Sequence, residues 1–161
     1  MGLLGALVIL IAALWPVPAL LVQDLDGPEV MGIFPVGPGQ TLHLRYRHSL
    51  YGGRVWEHFR IGREGLVLVA VEAEREAALE YYGLPRRIRY RTGGGIVEGL
   101  KLPVGELVVR ATSLGERTLV VGGRAIPLAA GREGHRIRLR VVSLPAVRLV
   151  WNRLRDYGKG R

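Results

Sequence analysis

A phenol, an imidazole, a hydroxyl and a carboxylate lie close together in this chain, at Tyr46, His48, Ser49 and Glu57. The last three are the ingredients of a hydrolytic triad, and Tyr46, His48 and Glu57 could also serve as general acid and base. Spacing separates these chemistries. Gln40 to Ile61 reads as one β-hairpin, with Gln40–Ser49 and Arg54–Ile61 as arms and Leu50-Tyr51-Gly52-Gly53 as the turn. Strand side chains alternate faces, so Leu42, Leu44, Tyr46 and His48 share one side, as do Val55, Glu57, Phe59 and Ile61. Ser49 follows His48 directly and points to the other face, out of its reach. The chain has no Gly-x-Ser-x-Gly elbow either. Closing the turn at the two glycines sets Tyr46 opposite Glu57, with His48 diagonal to it. A polar trio on an otherwise apolar face must satisfy itself, because buried unpaired polar groups are costly. The expectation is therefore a hydrogen-bonded network that fixes the hairpin, with no catalytic residue; a hydrolase built on Tyr46, His48 and Glu57 is an alternative.

Tyr46, His48-Ser49 and, after the glycine turn, Glu57-x-Phe59 resemble the signature of an uncharacterised bacterial family, number 1850 among the domains of unknown function. The resemblance covers Phe34 to Val142 and continues at Gly83-Leu84-Pro85. Before that tripeptide the family tends to have small residues, whereas this chain has Tyr81-Tyr82. Genes of the family lie beside permeases of TRAP transporters that use TAXI-type solute-binding proteins, transporters thought to move organic acids. The resemblance thus implies a transporter context without an established activity. The partners it implies are the permease and the solute-binding protein. Arg45, Arg47, Gly83 and Pro85, with Trp15 and Trp151 outside the motif, are the candidate partner-binding residues.

Metal chemistry is not expected. The four histidines are His43, His48, His58 and His135, and the hairpin register above places Arg45 directly opposite His58. No closed zinc-type ligand set follows, and no cofactor is implied. The absence of cysteine removes disulfides, thiolate metal sites and a cysteine nucleophile. Of the 23 basic residues all but Lys101 and Lys159 are arginine, and the net charge is +9. That charge suits carboxylates, lipid headgroups or an acidic protein. Its even spread, with no dense basic run, gives no nucleic-acid motif.

The elements that must position these residues begin with an uncharged run, Gly2 to Val22. As a helix it would be about 31 Å long, enough to cross a bilayer core, although Pro16 and Pro18 disfavour helix before them. Residues 1–22 are expected to be an uncleaved transmembrane anchor, with Trp15 at the interface and membrane lipid as a partner. Residues 23–29 read as a linker, and 30–161 as an extracytoplasmic β domain. Met31–Val36 is its first strand, and Gly65–Val71, apolar on both faces, belongs in its middle. Glu72 to Tyr82 suits a helix or the end of a long strand. Gly93-Gly94-Gly95 reads as a turn, since no phosphate-loop pattern accompanies it. Glu106–Thr112, Thr118–Val121, Arg124–Leu128 and Arg136–Val142 read as a strand meander. Beyond Pro145, Val147, Val150, Trp151 and Leu154 fall at helical spacing, so an amphipathic helix competes with a last strand.

The expected class is mainly β, an antiparallel sandwich or barrel-like domain behind one N-terminal transmembrane helix. The expected function is an accessory subunit of a TAXI-type TRAP transporter. It would be single-pass in the cytoplasmic membrane, bracing the permease or docking the solute-binding protein at the outer face. A free periplasmic lipocalin-like binding module is the other alternative.

Overall fold

Alternating and doubly apolar runs separated by glycine turns can only bury their apolar faces by stacking sheet on sheet. The computed structural model, which describes residues 5, 10, 12–28 and 30–151, has that architecture. The first half of the chain supplies β1 (Pro16–Asp24), β2 (Val30–Pro35), β3 (Thr41–Arg47), β4 (Arg54–Gly62), β5 (Gly65–Ala73) and the short helix α1 (Glu76–Tyr81). Then come β6 (Arg89–Arg91), β7 (Gly94–Gly105), β8 (Leu107–Arg110), β9 (Thr118–Val121), β10 (Arg124–Pro127) and β11 (Arg136–Pro145). One sheet runs β2-β1-β11-β8 and the other β10-β9-β3-β4-β5-β7-β6. Every pairing within them is antiparallel.

One core lies between the sheets. Leu20, Val22, Ile137 and Leu139 of the smaller sheet meet Leu42, Leu44, Phe59 and Leu119 of the larger. In β11 the expected alternation holds: Ile137 and Leu139 are fully buried, and the intervening arginines leave the core. The doubly apolar β5 lies inside its sheet, between β4 and β7, as expected.

The largest departure is at the start. Pro16 to Val22, read as the end of a membrane span, is strand β1 in the middle of the smaller sheet, paired with β11 from Pro16↔Pro145 to Asp24↔Ile137. Ala19, Leu20 and Val22 are completely buried there. Past Pro16 no residue of this strand is exposed, and such a strand reads in sequence like a span, being one continuous apolar run. Pro16 and Pro18 were the distinguishing signal, since they end the helix before them. Gln23 and Asp24, placed in a linker, complete that strand, and the turn to β2 spans only a few residues. Of Gly2–Trp15, residues 2–4, 6–9 and 11 lie outside the described residues. Among the described residues no helix is long and apolar enough to cross a membrane.

Other differences are local. Glu72–Tyr82 divides between the two readings: Glu72 and Ala73 end β5, and α1 follows with Ala78 and Leu79 buried. Thr92-Gly93 makes the turn within the glycine run, but Gly94 and Gly95 are buried residues of β7. Gly94 sits at φ +148°, where a Cβ would run into the Ala73 carbonyl. The final strands do not form a meander, because β8 joins β11 in one sheet and β9 joins β3 in the other. After Pro145 the described chain is helical, from 146 to 151, and Leu154 lies outside the described residues.

Candidate functional site

The β3–β4 hairpin carries the site, with the expected faces and a different register. Tyr46 pairs with Val55, Leu44 with Glu57, and His43 with His58. The loop is Ser49-Leu50-Tyr51-Gly52, because His48 and Gly53 still pair: His48 N donates to Gly53 O at 3.0 Å and Gly52 N to His48 O at 3.0 Å. Gly52 and Gly53 both adopt left-handed φ, +64° and +72°, which residues with a side chain resist. The pairing is displaced by two residues from the expected one, and a period of two leaves every face unchanged.

Tyr46 therefore reaches Glu57 diagonally, its Oη donating to Glu57 Oε1 at 3.4 Å. The stronger donor is Tyr82, whose Oη lies 2.5 Å from the same oxygen and also hydrogen-bonds the Tyr46 hydroxyl. Tyr82 is the C-cap of α1; Gly83, at φ +56°, stops the helix there and fixes the angle at which the phenol returns. Gly83 and Pro85 are themselves exposed. Burial pushes the Glu57 carboxyl up, although the two hydroxyls and the Arg117 guanidinium pull the other way. Burial and the neighbouring carboxylate push both phenols well above the ordinary tyrosine range. The Arg117 guanidinium lies over the Tyr46 ring, 5.3 Å from its centroid.

His48 does not join this cluster. Its Nδ1 accepts from Leu50 N and Tyr51 N, each at 3.3 Å, so the imidazole pins the hairpin loop. Its ring also lies beside Tyr51 and Tyr81. The structure thus brings Tyr46 and Glu57 together, adds Tyr82, and removes His48. Two tyrosine hydroxyls meet on one carboxylate, and through Tyr82 they tie the β3–β4 hairpin to the end of α1. Ser49 lies in the loop.

On the outer face, His43 and His58 are directly opposed, Nδ1 to Nδ1 2.7 Å, and Arg45 faces Trp56 instead of His58. At that distance one Nδ1 carries the hydrogen and donates it to the other. Burial and the His43 ring push the His58 pKa down, against a smaller upward pull from Glu72. Arg45, Arg47, Arg54 and Arg60 are exposed on this hairpin, and among the described residues none of them pairs with a carboxylate. Trp15 and Trp151 are 64% and 69% exposed.

A second polar centre was not anticipated. Asp24, 4% exposed, accepts from Asp26 N at 3.0 Å and pairs with His135 Nδ1 at 2.9 Å, with Arg132 Nε at 3.5 Å. It locks the β1–β2 turn to the loop before β11. The signal was Asp24-x-Asp26-Gly27, a turn sequence in which an aspartate folds back on its own backbone.

The fold and site define an antiparallel two-sheet β domain whose polar signature is a hairpin carboxylate capped by tyrosines. Residues 42–128, more than half of the chain, match the family described as Domain of unknown function (DUF1850), and the chain belongs to that family. No curated protein and no solved structure matches it.

Proposed function

We propose that this chain is a membrane-held, non-catalytic accessory subunit of a TAXI-type TRAP transporter. Its β domain lies on the extracytoplasmic side, where it braces the permease or docks the solute-binding protein. The observation that carries this reading is an apolar end to the sandwich. Pro16 and Pro145 are paired, and Ala146 N donates to Trp15 O at 3.0 Å, so the segments before β1 and after β11 leave the domain side by side. Leu10, Leu14 and Trp15 on one segment, and Val147, Val150 and Trp151 on the other, are each at least half exposed. Six large apolar side chains on two adjoining segments suit a lipid or permease surface better than water.

Two further features support a module that acts through its surface. Its interior is occupied by fully buried side chains, among them Leu20, Leu44, Phe59 and Leu119. The outer face of the β3–β4 hairpin offers unpaired guanidiniums around Trp56, which suits an acidic partner. The transporter itself enters through the resemblance of the hairpin motif. Fractionation of native cells tests the membrane part. The full-length chain should stay with membranes through a high-salt wash and leave with detergent; release by salt alone would overturn it.

A further inference from the structure

At the opposite end of the sandwich from the apolar segments lies a cleft of about 620 Å³ that the proposed function does not use. Arg110, on its wall, pairs with Arg136, the first residue of β11, whereas Pro145 at the apolar end is the last. Nine strand steps separate those ends by about 30 Å. With the apolar end at the membrane, as proposed above, the cleft faces solution.

Three guanidiniums line it, those of Arg47, Arg110 and Arg117. The side-chain hydrogen bonds formed by Arg110 and Arg117 go only to carbonyls: Arg110 Nη1 donates to Gly134 O at 3.2 Å, and Arg117 Nη1 to Arg110 O at 2.5 Å. Arg117 Nε is buried with no partner. The one acid in the lining, Glu133, turns Oε2 to Ser113 N at 2.7 Å. Hydroxyls of Ser49 and Thr112 add neutral polar groups. The rim is different in kind: Leu50, Tyr81 and Leu114 are among the most exposed large apolar side chains of the chain, at 70%, 68% and 71%.

Arginines that form no ion pair among the described residues, set within an apolar rim, describe a ligand with two parts. We propose that this cleft binds a small amphipathic anion from solution, its carboxylate or phosphate held by Arg47 and Arg110 and its apolar body lying against Leu50, Tyr81 and Leu114. Arginine forks match both oxyanions, and the convergence of polar groups with apolar walls is the usual make-up of a small-molecule site. The cleft is formed by the family-motif loop on one side and the β8–β9 connection on the other, tied by Arg47 N donating to Gly115 O at 2.8 Å. That the anion comes from solution rests on the proposed membrane attachment; the binding of the anion does not.

Calorimetric titration of the full chain in detergent with phenyl phosphate, phenylacetate and inorganic phosphate tests it. One of the two aromatic anions should bind saturably at one site and more tightly than inorganic phosphate. Arg47→Gln and Arg110→Gln should each weaken that binding roughly tenfold. Arg60→Gln, which removes the same charge from the far end of the same hairpin, should leave it unchanged. The Arg47 side chain makes no hydrogen bond or ion pair among the described residues, so that variant keeps the fold, and its melting temperature checks this. Absence of saturable binding by every probe, or an equal loss in Arg60→Gln, overturns the proposal. In a parallel arm, phosphatidylglycerol vesicles should bind the wild type and Arg47→Gln alike; loss of vesicle binding in Arg47→Gln would make the lipid headgroup the source of the anion and overturn a ligand from solution.

Discussion

Glu57 and Asp24 are two carboxylates withdrawn from water in one small domain, and their proton affinities move in opposite directions. Burial raises both. At Asp24 it is outweighed by the His135 hydrogen bond, the Asp26 backbone donor and the charges of His135 and Arg132, so the carboxyl is held below its usual range. At Glu57 the donors are the phenols of Tyr82 and Tyr46, with Arg117 acting only through its charge, and burial prevails. The number of hydrogen bonds is similar at the two sites. What differs is whether the donors bring positive charge and fixed backbone dipoles with them. Asp24 is an ionic fastening between a turn and a loop, whereas Glu57 is a polar plug at the end of a core.

The largest effect should come from breaking the ionic fastening. Asp24→Ala leaves His135 and the Asp26 amide without their acceptor and takes one partner from Arg132, and should cost about 2–3 kcal/mol in chemical denaturation, the lower end reflecting the partial exposure of both cations. Tyr82→Phe removes the shorter bond to Glu57 and should cost about 1–2 kcal/mol, while pushing the carboxyl further up. Third is the pH dependence of melting. Glu57 binds its proton more tightly folded than unfolded, so its contribution is complete at acid pH and is lost as pH rises through the raised value. Asp24 does the reverse, contributing above the ordinary carboxylate range and losing that contribution as pH falls. Glu57→Gln, which keeps an acceptor for both phenols, should therefore equal or exceed the wild type above neutrality, by less than about 1 kcal/mol, and converge with it in acid. The smallest effect should be that of Asp26→Asn. Its carboxyl is lowered to about 2 by the Arg136 hydrogen bonds, but the pair stands in open water, where screening leaves it little weight. A larger loss for Asp26→Asn than for Asp24→Ala would erase the distinction between the two sites.

The faces of the hairpin could be read in the sequence because strand alternation is local, and Leu42, Leu44, Phe59 and Ile61 did turn inward. Its register could not. It depends on the His48 imidazole taking two loop amides and drawing the turn one residue earlier. Tyr82 was hidden by distance: it reaches Glu57 from 25 residues away, through the cap of a helix whose existence was itself undecided. The Arg47–Arg110–Arg117 cleft is assembled from separate segments of both sheets, and nothing periodic announces it. β1 was misread for a different reason, since an uninterrupted apolar run satisfies a bilayer and a sheet interior equally well. Pro16 and Pro18 were the one local signal against a span, and the pairing with β11 is what places the run in a sheet.

The central claim is that the domain serves a transporter through its surface. A gentle detergent pull-down of the full-length tagged chain from its native membrane, with its companions identified by mass spectrometry, tests that most directly. The account predicts a TRAP permease in stoichiometric amount. A chain recovered alone from the soluble fraction would contradict it.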